Sequence, residues 1–173
     1  MSFFKKLFAT KQLASPNLPR IMGLRLSASF EIDDLYLKLL EPYLTISKCA
    51  RTQIINAVGY VDLDGTYMFR FYTDDEGYLQ VVAEGGKEEA NIVDVKMYHY
   101  FDTQDIQSES TWNDLLNNKI GQPTYTLNGY TYTRVWTSNS EYHNPVAMSE
   151  KTYDTSRTSG DDFDSTDQFT MLF

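Results

Sequence analysis

The sequence predicts an α+β domain dominated by antiparallel β-sheet, with two or three short helices at its edges. Three observations predict it. Ile54–Ala83 (IINAVGYVDLDGTYMFRFYTDDEGYLQVVA) holds three apolar runs, separated by Asp64-Gly65 and by Asp74-Asp75-Glu76-Gly77. Asp-Gly between apolar runs marks a hairpin, because a type I′ turn needs positive φ and Gly supplies it without steric cost. A second hairpin follows at Thr124–Thr137, turning at Asn128-Gly129. Two antiparallel hairpins this distinct argue against a doubly wound α/β fold.

At 173 residues the chain suits one domain, which buries roughly 70% of its unfolded surface and needs no covalent staple. The single Cys49 excludes an intramolecular disulfide. No run reaches the ~18 apolar residues of a membrane span, and no secretory signal is visible, so the expected location is cytoplasmic. We divide the chain into a basic amphipathic segment with a Pro-containing linker (1–21), one globular domain (22–153), and an acidic tail expected to be flexible (154–173).

Within Met1–Ala14, Phe3, Phe4, Leu7 and Phe8 share a helical face, flanked by Lys5 and Lys6. The amphipathic run is under three turns, too short for an isolated helix but long enough to be ordered by a lipid interface or a partner groove. Pro16 and Pro19 end it. Gly23–Phe30 alternates, with Leu24, Leu26, Ala28 and Phe30 in phase, and reads as a short strand. Asp33 can cap a helix over Asp34–Leu40 with Leu35, Leu39 and Leu40 toward the core, stopped by Pro42.

In the first strand of the meander Ile55, Ala57, Gly59 and Val61 are in phase. Tyr67, Phe69 and Phe71 oppose Met68, Arg70 and Tyr72 in the second. Both faces are partly apolar, so the sheet is expected to be covered on both sides or curled on itself. Ile92–Phe101 reads as a fourth strand carrying His99. Ser110 or Thr111 can cap a short helix with Trp112, Leu115 and Leu116. Tyr130, Tyr132, Arg134 and Trp136 line one face of the second hairpin, and Val146–Tyr153 is a last strand. From Asp154 the chain is rich in Asp, Ser and Thr until the apolar tip of Phe169, Met171, Leu172 and Phe173. That tip is either a strand returning to the body or a linear motif for a partner.

Charge is unevenly placed. Residues 1–25 hold five of the 15 basic side chains (Lys5, Lys6, Lys11, Arg20 and Arg25) and no acid, leaving ten bases against all 24 acids in the rest. An acidic body repels phosphate backbones, which argues against nucleic-acid binding. The basic end can still meet an anionic lipid surface.

Few residues promise chemistry. Asp62-Leu63-Asp64-Gly65 imitates half of a calcium loop, but the twelfth place is Thr73 rather than a bidentate Glu. Asp74, Asp75 and Glu76 read as solvated turn acids. Lys48 and Arg51 beside Cys49 could favour a thiolate, but no His is near in sequence and a buried or incidental Cys is the preferred reading over a nucleophile. No phosphate loop, dinucleotide fingerprint, CxxC, HExxH or Gly-x-Ser-x-Gly is present, so no catalytic residue, metal or cofactor is assigned. The candidate binding residues are Arg70 and His99, ionisable groups within aromatic strands, together with the Tyr130, Tyr132, Arg134 and Trp136 face.

The segments QIINAVGYVDLDGTYMFRFYTDDEGYLQV (Gln53–Val81), ESTWNDLL (Glu109–Leu116), IGQPTYTLNGYTYTRVW (Ile120–Trp136) and PVAMSEKTY (Pro145–Tyr153), with the opening SFFKKLF, resemble the bacterial YjfK-like family, a domain of unknown function. The resemblance carries over no activity, cofactor or catalytic residue. It implies a cytoplasmic protein in the company of phage-shock-like coiled-coil proteins and small membrane proteins. The expected function is a non-catalytic cytoplasmic module acting through protein–protein contacts at or near the inner membrane surface, with Phe3, Phe4, Lys5, Lys6, Leu7 and Phe8 as the contact. A membrane-associated coiled-coil protein is the expected type of partner, beside peripheral contact with anionic lipid. Two alternatives stand beside it: a small-molecule-binding domain or enzyme with a polar pocket in the aromatic sheet, and an assembly subunit using its C-terminal tip.

Overall fold

Alternating apolar runs and tight turns build an antiparallel sheet in the computed structural model, which describes residues 17–44, 49–136, 140–156 and 159–173. The candidate contact residues Phe3, Phe4, Lys5, Lys6, Leu7 and Phe8 lie outside the described residues. The strands are β1 (Ser29–Glu31), β2 (Thr52–Leu63), β3 (Thr66–Thr73), β4 (Gly77–Glu84), β5 (Ile92–His99), β6 (Thr124–Leu127), β7 (Tyr130–Thr133), β8 (Val146–Asp154) and β9 (Asp164–Thr170). Two short helices are α1 (Asp34–Leu40) and α2 (Glu109–Asp114). The main sheet runs β5-β4-β3-β2-β8-β9, with β1 also on β2, and β6–β7 form a separate hairpin. Every pairing is antiparallel, so the α+β, mostly sheet class holds.

Both Gly-containing type I′ signals become turns. Asp64 and Gly65 have φ of 47° and 94°, and Asn128 and Gly129 have 50° and 82°. One face of the main sheet carries the core: Ile55, Val58, Phe69, Phe71, Val81 and Ala83, closed over by Ile21 and Leu24 and flanked by Leu26, Ala28 and Phe30. The segment before β1 is thus an irregular strap. A Met22–Gly23 turn closes the Ile21–Leu24 bridge, and a left-handed Ser27 interrupts the strand expected from Gly23, so only Ser29–Glu31 pairs. Its alternation still aims Leu24, Leu26 and Ala28 at the core.

Four further expectations are corrected. A β-bulge between Ile55 and Ala57 shifts the alternation of β2, so Ile55 packs with Val58 rather than with Ala57 and Gly59. α1 is capped as expected, the Asp33 carboxylate accepting from Tyr36 N at 2.8 Å, but Leu35 and Leu39 are 69% and 64% exposed rather than in the core. The strap already covers the apolar face that α1 was expected to fill. The tail expected to be flexible from Asp154 instead contains β9, whose residues pair with β8 from Val146↔Thr170 to Thr152↔Asp164. Backbone pairing there compensates for a composition poor in apolar side chains. The cap of α2 is Ser108 rather than Ser110 or Thr111, its hydroxyl accepting from Thr111 N at 3.2 Å, and the helix runs on as a π-turn over Leu115–Lys119.

Candidate functional site

Arg70 lies on the sheet face opposite the core, 5% exposed. Its guanidinium donates to Glu150 Oε2 at 2.8 Å and to Gln80 Oε1 at 3.1 Å, and also reaches Gln168 Oε1. Tyr72 OH donates to Glu150 Oε1 at 2.7 Å, and Gln168 Nε2 donates to Oε2. The carboxylate is fully buried directly over Gly59, where a Cβ would fall on Oε1 and within 2.7 Å of Cδ. Beside this network runs a ladder of rings, Tyr72–Tyr78–Tyr98, with Tyr100 against Tyr78. Burial, and then the Glu150 charge, push the Tyr72 hydroxyl far above the usual phenol range. Every charged group here has a partner, which is the condition for burying a charge pair at tolerable cost.

His99 is elsewhere. Register pairs it with Gly77, out of phase with Arg70 and Gln80, so it projects from the core-side face at the end of the sheet. Its Nε2 lies 3.2 Å from Cys49 Sγ. Asp75, in the turn between β3 and β4, completes a group of three whose ligand-type atoms all lie within 4.8 Å of one another. Asp75 Oδ2 accepts from Ala50 N at 2.6 Å and from Gln53 Nε2 at 2.9 Å. Asp74 Oδ1 accepts from Ile54 N at 2.9 Å. These two acids therefore tie the turn to the start of β2, where solvated turn acids were expected. Burial pulls the other way, but bonds from Gln53 and Ala50 hold the Asp75 carboxyl below the usual range. Burial, and then the Asp75 charge, push the Cys49 thiol up, so the expected bias toward a thiolate is reversed.

Arg134 serves the second hairpin. It donates to the carbonyls of Gly121, Glu141 (3.1 Å) and Ser140, bracing the chain after β7. Tyr130 is 64% exposed, while Tyr132 and Trp136 are half-buried. The four residues expected to line one face therefore split between solvent and packing. Arg70, His99 and Arg134 do not share a pocket. The C-terminal tip sits on its own chain: Phe169 packs edge-on to Trp112, Phe173 tilts against Tyr125, and Leu172 O accepts from Val135 N at 2.8 Å. Met171 is half-buried beside them.

The fourth place is basic. Met22, 46% exposed, tips the turn after Ile21, with Arg20 and Arg25 on either side. Lys87 faces this turn across a recess that also meets Glu88 and Glu89. A second recess, sharing Arg20, Lys87 and Glu88, continues along Asn17, Leu18 and Pro19 to Tyr60 and Tyr153. The Lys87 ammonium stands 4.9 Å and 4.7 Å from the Tyr60 and Tyr67 ring centroids, and the Tyr60 hydroxyl raises its pKa.

Sequence reasoning named His99 but missed its neighbours. The signal lay in the register: a meander turning at Asp74–Gly77 with a fourth antiparallel strand brings residue 99 to the turn, and the β2–β3 pairing brings Gln53 and Cys49 there too.

A family model described as "Protein of unknown function (DUF2491)" matches residues 3–173. The uncharacterized protein YjfK of Escherichia coli (strain K12) is 32% identical over 156 residues, covering 86% of this chain and 69% of that protein. No solved structure matches the chain.

Proposed function

The chain belongs to the DUF2491 family of unknown function, and from that premise we propose that it is a non-catalytic module working by contact at an anionic membrane surface. One observation carries the reading. The first turn of the described body, Arg20–Arg25, presents an exposed Met22 between two arginines, with Lys87 across the recess. The segment before it adds Lys5, Lys6 and Lys11 and no acid. An apolar tip between two arginines suits an interface of acyl chains and anionic headgroups, although Glu88 and Glu89 line the same recess and oppose part of that attraction. Among the described residues no helix is long and apolar enough to cross a membrane.

A protein partner at that surface has a face to meet. Leu35 and Leu39 lie one helical turn apart and exposed on α1, near Asp33 and Glu41 and the ion pairs Lys38–Asp34 and Arg51–Glu31. An exposed apolar stripe of this kind fits the apolar seam of a partner helix, as in coiled-coil pairing.

Co-sedimentation with phosphatidylglycerol-containing and neutral vesicles tests the membrane reading. The intact chain is expected to bind the anionic vesicles, less at high salt. Each juxtamembrane arginine is worth about 1 kcal/mol, so Arg20→Ala/Arg25→Ala should weaken binding about 30-fold. Binding that is absent, indifferent to salt, or unchanged by this pair and by removal of residues 1–14 overturns the proposal.

A further inference from the structure

We propose that Cys49, Asp75 and His99 form a binding site for a thiophilic divalent cation of the zinc class, with one coordination position left open. The inference goes beyond the membrane-contact reading and does not rest on it. Sγ, Nε2 and a carboxylate oxygen converge on one point from three separate parts of the chain: the residue run before β2, the β3–β4 turn and the end of β5. Imidazole, thiolate and carboxylate together are a donor set that zinc accepts. Tetrahedral ligands about 2.0–2.3 Å from an ion stand roughly 3.3–3.6 Å from one another. Cys49 and His99 are 3.2 Å apart and all three atoms lie within 4.8 Å, so side-chain adjustments alone bring them to that spacing.

The alternative chemistry for Cys and His in contact is a nucleophile with its base. There the acid orients the base by holding its far nitrogen, in a relay of three groups in line. Here His99 turns Nε2 to the thiol and Nδ1 toward Gly77. Asp75 instead approaches the thiol itself, with a carboxylate oxygen within 4.8 Å of the sulfur. Convergence on the sulfur is the arrangement of ligands around an ion and not of a proton relay. Metal binding removes the thiol proton, which a neighbouring carboxylate cannot do.

The surroundings hold the ligands as an outer shell does. Gln53, fully buried, donates through Nε2 to Asp75 Oδ2 and to Ala50 O at 2.7 Å, and the same nitrogen stands 3.8 Å from Cys49 Sγ. Oδ2 thus has two donors, which leaves Oδ1 for an ion. The other end of that amide, Gln53 Oε1, is buried without a hydrogen-bond partner. An interior oxygen left so is a cost to the fold. Gly77 belongs to the same construction: a Cβ there would meet Tyr98 O at 2.5 Å and His99 Nδ1 at 3.3 Å.

Cys49 is the single cysteine of the sequence, so the rate at which the native chain reacts with a thiol reagent reports this site alone. Saturating Zn²⁺ is expected to slow that reaction at least about tenfold, a chelator to restore it, and Co²⁺ to give a thiolate-to-metal charge-transfer band. Asp75→Asn and His99→Ala should abolish the protection, and Gln53→Ala should weaken zinc about 10- to 100-fold. An unprotected thiol with no cobalt band overturns the proposal, as does protection that persists in folded His99→Ala. Should the variants not fold, the cobalt spectrum of the unaltered chain decides.

Discussion

Gly59→Ala sets two effects of opposite sign against each other. Glycine inside a strand is ordinarily about 0.5–1 kcal/mol worse than alanine, so the substitution should stabilise a typical strand. At position 59 the added Cβ lands on Glu150 Oε1. A flexible carboxylate end could swing away, but this one is fully buried and fixed by Arg70, Tyr72 and Gln168. Moving it separates the Arg70–Glu150 pair in the interior, which costs about 3–5 kcal/mol. The net expectation is a loss of about 2–4 kcal/mol, a large part of the ~5–15 kcal/mol typical of a domain. Urea unfolding measures it as a lower midpoint at unchanged slope, with a melting temperature lower by roughly 5–15 °C. In a Glu150→Ala background the main obstruction is gone and only Tyr72 Cε2, 3.1 Å from the added Cβ, stays close, so Gly59→Ala should lose most of its cost. If Glu150→Ala alone does not fold, Arg70→Met/Glu150→Ala removes both charges and serves as the background. A neutral or stabilising Gly59→Ala in the unaltered chain would refute the placement of Glu150 over the glycine.

Three further outcomes follow from single contacts. Gly65→Ala has open space around it but a φ of 94°, so it should lose about 1–2 kcal/mol in urea unfolding through backbone strain alone. Asp75→Asn should lower the melting temperature at pH 7. Because the folded carboxyl titrates below its unfolded value, its contribution is full above about pH 4 and is lost as the pH falls through the lower folded value. The gap to the unaltered chain should therefore narrow as the pH falls below the usual carboxylate range. Removing Leu172 and Phe173 takes away the acceptor of the Val135 amide and the ring against Tyr125, and hydrogen exchange at Val135 should quicken while that at Val58 stays slow.

Much of the architecture was legible because it is encoded locally. Asp64-Gly65 and Asn128-Gly129 name their turns through a backbone requirement, and Asp33 names its helix through a side chain three residues from its partner. Misreadings arose where a distant segment decided the outcome. Leu35 and Leu39 have core periodicity, yet the strap bearing Ile21 and Leu24 occupies the apolar face. The bulge at Ile55–Ala57 has no local signature in a run of β-formers, and it reverses which residues face the core. Asp154–Phe173 has the composition of a disordered tail, but β8 offers it a free edge. Of the candidate site, His99 was singled out by type alone. Cys49 and Asp75 were each judged by sequence neighbours, Lys48 in one case and the turn acids in the other, whereas their real neighbours come from register.

The two clusters of ionisable groups in this sheet differ in a way that separates structure from chemistry. Arg70 and Glu150 sit in mid-sheet with their hydrogen-bonding capacity turned inward on Gln80, Gln168 and Tyr72, so a ligand could reach them only by breaking bonds already made. Cys49, Asp75 and His99 are half-buried at the sheet's end, held by backbone and by Gln53, whose own Oε1 is buried without a partner. A buried pair that is fully satisfied gains specificity of fold, since any slip of β8 against β2 would strand a charge. A convergent group with spare lone pairs gains nothing for the fold by its convergence, and Asp75 beside Cys49 even disfavours the thiolate. That local disadvantage turns into an advantage as soon as a cation sits between them, which is why the end of the sheet, rather than its more conspicuous arginine, is the place to look for a bound group.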